Sequence, residues 1–298
     1  MRVTQSMLSN NMLNNLSRNY QNLGKYMNQL STGKQINRPS DDPVIAMKGM
    51  NYRSQVTQIE QYSRNLGEVH NWLDNTDSAL DKVQMTLERL RELAVQGANG
   101  TYEEGQRGNM ASEVRQMADH IVDIANTKVN NKFIFNGTAT TGRDGEVPYE
   151  VDADGNLLHP LNTERVMIEV SDGTKINVNT PSDSVFNADL FKDLVDFAKT
   201  LESGDDDEAI AAFIDKIDTH IDNNVNARAD LGARQNRIEL IENRILDQEI
   251  AAKDMMSKNE DADIEEVIMN LTQQEVVHRA ALSAGARIIQ PTLLDFLR

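Results

Sequence analysis

The sequence predicts a mainly α fold, an elongated rod of long antiparallel helices packed as a coiled-coil bundle, interrupted by a small β-rich insertion. Three observations carry that expectation. Across residues 59–94 one seam, Ile59, Tyr62, Leu66, Val69, Leu73, Thr76, Leu80, Val83, Leu87, Leu90 and Ala94, recurs at alternating steps of three and four. A mean spacing of about 3.5 keeps to one face only on a helix supercoiled against others. Related spacings recur towards both ends of the chain, and between residues 132 and 183 the apolar period shortens towards two, as half-buried strands require.

The first helix is expected over residues 4–30, with Leu16, Tyr20, Leu23, Met27 and Leu30 on one face and Ser31-Thr32-Gly33 as its stop. The string Asn37-Arg38-Pro39-Ser40-Asp41-Asp42-Pro43 combines capping and turn residues with two prolines, and reads as an ordered elbow opening a helix near Pro43. That second helix runs to about Gln96, where Gly97, Asn99 and Gly100 end it. A third, over residues 102–130, carries Met110, Val114, Met117, Ile121 and Ile124, and its short connection makes it antiparallel to the second.

Phe133-Ile134-Phe135 and residues 149–151 and 166–178 read as strands. In the last of these a three-residue Ser171-Asp172-Gly173 loop, with Gly173 left-handed, sets Val166 against Val178, Ile168 against Ile176 and Val170 against Thr174. A two-residue Asp172-Gly173 loop would set Ile168 against Asn177 and split the apolar face, so the longer loop is expected. Helical spacing returns over residues 184–201. After the acidic cap Asp205-Asp206-Asp207 it runs on through residues 208–256, with Ile210, Ile214, Ile217 and Ile221 continued by Leu231, Ile238, Ile241, Ile245 and Ala252 after a phase change within residues 224–232. The last helix, residues 262–289, carries Ile264, Ile268, Leu271, Leu282 and Ile289 on a loose stripe and stops before Pro291.

Three regions follow. Residues 1–43 with 257–298 form a terminal coiled-coil assembly region, 44–131 with 184–256 the long-helix domain, and 132–183 an exposed insertion. The terminal helices hold too few large aliphatic residues to be stable as an isolated pair. Leu16, Tyr20, Leu23, Met27, Leu30, Ile264, Ile268, Leu271, Leu282 and Ile289 are therefore expected to be buried between molecules.

Composition removes several function classes. A net charge of −17 over 298 residues opposes binding to nucleic acid or anionic lipid, which rests on clustered cations. No run approaches the roughly 20 apolar residues of a membrane span, and no short apolar core precedes a small-residue cleavage site. With no cysteine, disulfides and thiolate catalysis are excluded. His70, His120, His159, His220 and His278 are scattered without metal-ligand spacing. The run Asp152-Ala153-Asp154-Gly155-Asn156 is a turn and not a calcium loop, since Leu157 and Thr163 stand where glycine and glutamate are needed. No phosphate-binding loop or nucleophile elbow is present. An enzyme in the insertion is a possible reading that no nucleophile or metal cluster supports, and no cofactor is expected.

Both ends resemble the flagellin family. The likeness runs through residues 30–37, Tyr62-Ser63-Arg64-Asn65, residues 87–96 and Asn99-Gly100-Thr101. It resumes at residues 228–237, Asp261-Ala262-Asp263-Ile264 and Asn270-Leu271-Thr272. Within the family, the elbow Asn37, Arg38, Pro39, Asp41 and Asp42 and the tail Leu293-Leu294-Asp295-Phe296-Leu297-Arg298 are similar to the branch that joins hook to filament. Filament-forming members carry other sequences at both places. The resemblance implies a non-enzymatic adaptor, exported unfolded without cleavage to the extracellular flagellum and assembled as a ring. It implies as partners other copies of the chain, a neighbouring hook-associated protein, flagellin on the distal side and an export chaperone at the C-terminal helix. A filament-forming flagellin is the alternative.

Overall fold

The computed structural model describes residues 5–99, 104–142, 147–203 and 207–289. The fold is mainly α. In chain order its elements are α1 (Gln5–Thr32), α2 (Pro43–Gly97), α3 (Glu104–Ala125), β1 (Lys128–Val129), β2 (Lys132–Phe133), β3 (Met167–Ser171), β4 (Thr174–Asn177), α4 (Ser182–Val185), α5 (Ala188–Ser203), α6 (Asp207–Glu260) and α7 (Ile264–Ile289). They form two compact units, one made of the chain up to Gln58 together with the chain from Gln248, the other of Ile59–Asp247. The cap residues Asp205 and Asp206 and the tail from Gln290 onward lie outside the described residues.

The second unit is built on the α2 seam. Leu66, Val69, Leu73, Leu80, Val83, Leu87, Leu90 and Ala94 are all buried, each large member contributing roughly 1.5 to 3 kcal/mol before chain entropy is subtracted. Thr76 sits on the same line, fully buried, and donates its hydroxyl to the Trp72 carbonyl at 2.8 Å, so the polar interruption is satisfied within its own helix.

The facing helix is α6, antiparallel to α2. Arg91 pairs with Asp218, Arg228 with Asp77 and Asp81, and His70 with Glu242, one residue number falling as the other rises. The buried line of α6 is Ile210, Phe213, Ile217, His220, Asn224, Ala227 and Leu231, then Ile238, Ile241, Ile245 and Ala252. It holds its phase throughout, contrary to the slip expected within residues 224–232. The slip arises only when apolar residues alone are counted, because His220 and Asn224 occupy seam positions while Ile214 and Ile221 lie half-buried beside it.

α3 meets α2 through Arg89, which donates to Glu113, and packs on α5. α3 ends at Ala125, earlier than the expected 130, because Asn130 and Asn131 adopt φ of 50° and 62° as the turn of the β1–β2 hairpin. The helix expected over 184–201 is likewise broken, since Asn187 Oδ1 accepts from the Leu190 amide at 2.8 Å and starts α5 afresh.

In the β3–β4 hairpin Ile168 does face Ile176, but Ser171 pairs with Thr174, so the loop is the two-residue Asp172-Gly173, with Gly173 at φ +67°. A bulge between Glu169 and Ser171 absorbs the extra residue and keeps Ile176 and Val178 buried. Paired strands beyond these two hairpins are sparse among the described residues. Tyr149, Phe135, Phe186 and Phe191 form a buried aromatic cluster instead, with ring centroids 4.7 to 6.1 Å apart. Burial pushes the Tyr149 hydroxyl pKa upward, and that hydroxyl donates to the Phe135 carbonyl at 2.9 Å.

Candidate assembly surface

α1 and α7 lie antiparallel in the first unit: Met12 touches Gly285, Asn19 accepts from Gln274, and Lys34 pairs with Asp261. The faces they turn to each other mix large apolar side chains with small and polar ones. On α1 the covered line is Met12, Leu16, Asn19, Leu23, Tyr26 and Gln29; on α7 it is Val267, Leu271, Gln274, His278, Ala281 and Gly285. Of these twelve only Val267, Gln29 and Gly285 are buried, the rest being partly covered.

The ten residues expected to form an interface therefore divide. Leu16, Leu23 and Leu271 are half-buried between the two helices. Tyr20, Met27, Leu30, Ile264, Ile268 and Leu282 are exposed, by 39 % to 69 %, and the Ile289 side chain lies outside the described residues. Met7, Leu8, Leu13, Met269, Val276 and Val277 add to the outward apolar surface of the same two helices, as do Val44, Met47 and Met50 on α2. Exposed apolar side chains in this number on one helix pair suit an interaction face.

A polar clasp fixes the bases of the two helices. α1 ends where Gly33, at φ +68°, takes a left-handed conformation. The Gly33 carbonyl accepts from the Ala262 amide at 2.9 Å and the Gln35 amide donates to the Glu260 carbonyl at 2.7 Å. Lys34 Nζ stands 2.6 Å from Asp261 Oδ1 and 3.5 Å from Glu260 Oε2. Arg53 holds the buried Glu260 carboxylate: Nη2 donates to Oε2 at 2.7 Å, while Nε stands 2.6 Å from Oε1 as an ion pair without hydrogen-bond geometry. α2 leaves room for it at Gly49, where a Cβ would come within 2.8 Å of Glu260 Oε1. Hydrogen bonds from Lys34 and then Ser257 hold the Asp261 carboxyl below its ordinary pKa, and Asp261 raises that of Lys34.

The elbow residues have distinct tasks. Asp41 Oδ2 accepts from the Asn37 and Arg38 amides at 3.2 and 3.0 Å, closing the loop. Asp42 Oδ1 accepts from the Val44 and Ile45 amides at 2.9 and 3.1 Å, capping α2 with Pro43 at its first position. Arg38 and Pro39 are exposed. The sequence reading gave Lys34, Arg53, Glu260 and Asp261 no role in this clasp. A signal was present, because the first 40 residues contain no acid, so any ion pair made by Lys34 has to reach beyond them.

Among the described residues no cluster of three or more His, Cys, Asp or Glu is arranged to hold a metal ion, and no helix is long and apolar enough to cross a membrane.

Two family models match the chain in order. That of the bacterial flagellin N-terminal helical region matches residues 3–140, and that of the C-terminal helical region residues 214–297. The chain is similar to flagellar hook-associated protein 3 of Escherichia coli, 26 % identical over 87 % of this chain and 88 % of that protein. It is also similar to the flagellin of Bacillus subtilis, 27 % identical over the full length of both. The crystal structure of hook-associated protein 3 from Legionella pneumophila superposes with a TM-score of 0.62 at 14 % identity, over 70 % of this chain and 98 % of that one. With both ends matched in order over most of its length, the chain belongs to the bacterial flagellin family, whose members are structural proteins of the flagellum and not enzymes.

Proposed function

We propose that this chain is the adaptor that joins the hook side of a bacterial flagellum to its filament, assembling as a ring through its terminal helices. One observation carries the reading: α1 and α7 give half of their mutual face to small and polar residues and leave Tyr20, Met27, Leu30, Ile264, Ile268 and Leu282 exposed. Covering those side chains with neighbouring subunits supplies the apolar burial that the pair lacks. The junction role is supported by the likeness to a hook-associated protein over most of both chains and by the elbow and tail sequences.

On this reading its partners are other copies of itself, a hook-associated protein on the hook side and flagellin on the distal side. The subunit is exported to the cell exterior, with a chaperone holding the C-terminal helix until delivery. Deleting residues 257–298 tests it. The shortened protein should fail to add to purified hooks, and cells carrying it should shed flagellin unpolymerised. Normal filament growth on such cells would overturn the proposal.

The end-to-end alignment with a flagellin favours a second reading, that of a filament subunit. Purified protein that polymerises alone into long filaments would establish it; growth that stops after a short collar on hooks would exclude it.

A further inference from the structure

The outward surface of the first unit is unusually rich in one side chain. The sequence has 13 methionines. Eight of those described are strongly exposed, and six of the eight, Met7, Met27, Met47, Met50, Met255 and Met269, lie in the first unit, which is just over a third of the chain. Their exposures run from 45 % to 62 %. In the second unit Met85 and Met167 are exposed while Met110 and Met117 are half-buried. The thioethers are thus gathered where a free subunit presents apolar surface to water.

Methionine serves an adaptable interface well, because it is unbranched, flexible and polarisable. It also carries a liability that leucine does not. The sulfur lone pair attacks the terminal oxygen of a hydroperoxide ROOH, the O–O bond breaks as the S–O bond forms, and ROH leaves, which is water when the oxidant is hydrogen peroxide; the thioether is oxidised to a sulfoxide and the peroxide is reduced. The product is a strong hydrogen-bond acceptor. Exposed on a monomer it is hydrated, but a neighbouring subunit that covers it must strip that hydration and offers no donor in return.

We propose that Met7, Met27, Met47, Met50, Met255 and Met269 form a set of oxidation sites for hydroperoxides, and that their conversion to sulfoxides blocks assembly of the free subunit while assembled subunits are protected. The inference rests on the reading that neighbours cover these faces in the assembly. Met12 provides an internal contrast. It is half-buried, with its sulfur so close to the bare backbone of Gly285 that a Cβ there would stand 2.9 Å away, and it reacts more slowly than the six.

The experiment treats the full-length monomer with hydrogen peroxide, locates sulfoxides by peptide mass spectrometry, and measures addition to purified hooks. The six sites oxidise before Met12, Met110 and Met117, and addition falls by about tenfold or more, as expected for acceptors buried without donors. Methionine sulfoxide reductase restores it. A variant with leucine at all six positions adds to hooks and keeps doing so after peroxide; the reductase arm decides the matter if that variant folds poorly. Unchanged addition by wild-type protein carrying the six sulfoxides would overturn the inference and leave the junction reading intact. Equal loss in a folded leucine variant would overturn it as well. Failure of untreated protein to add to hooks would remove the junction reading and the inference together.

Discussion

Asn224, fully buried on α6, donates its side-chain amide to the Leu80 carbonyl on α2 at 3.0 Å and to Gln84 Oε1 at 2.9 Å. A polar residue at such a seam position fixes the register of two long helices at some cost in stability. Asn224→Asp replaces that donor with a carboxylate facing two acceptors. Urea denaturation at pH 7 should show a loss of about 3 kcal/mol or more, as for an unpaired buried charge.

Neighbouring positions on α7 separate folding from assembly. Val267 is buried and Ile268 is 47 % exposed. Val267→Glu should open the α1–α7 pair, seen as lost amide-exchange protection in both helices, with a cost of about 3 kcal/mol or more. Ile268→Glu should change monomer stability by no more than about 0.5 kcal/mol and yet abolish addition to hooks. Retained addition by Ile268→Glu would count against an interface on that face.

The clasp has a defined pH window. The Asp261 pKa is depressed in the folded chain by Lys34 and Ser257, so its contribution is complete above the unfolded carboxylate pKa of about 3.9 and is lost as pH falls through the lower folded value. The Lys34 pKa is raised, so its contribution is complete below about 10.4 and is lost as pH rises through the higher folded value. Protection factors at the Ala262 amide should be flat near neutrality and fall below about pH 4. In Lys34→Met that fall should be smaller, because the largest cause of the Asp261 shift is gone.

Gly155 is held at φ +85° against α5, where a Cβ would meet Lys192 Cα at 2.8 Å and the Phe191 carbonyl oxygen at 3.0 Å. Gly155→Ala combines a strained backbone with a clash against main chain that has little freedom to retreat. A loss of about 1 to 3 kcal/mol is expected, read by calorimetry as a lower melting temperature. An unchanged melting temperature would show that the turn can lift off α5.

The long helices were legible because their seams repeat over many turns, and each of the α2 seam residues from Leu66 to Ala94 is buried. Counting only apolar side chains misled the reading where the core is polar. His220 and Asn224 hold the α6 line in phase, and Asn130 and Asn131 turn a segment expected to be helical. The β3–β4 bulge was not legible, since loop length and register trade against each other and both solutions keep Ile168 opposite Ile176. At the ends, the apolar residues marked for assembly were visible in the sequence, but not which of them lie between α1 and α7. That depends on Met12 seating against Gly285 and Asn19 meeting Gln274, small and polar contacts that no hydrophobic count detects.

The pairing of Lys34 with Asp261 spans a sequence separation of 227 residues. Ribosome or export channel, any machine that delivers this polypeptide from its amino end must release nearly all of it before that pair can meet. The part that emerges earliest is thereby obliged to close last, and until then its greasy side chains have no companion within their own molecule.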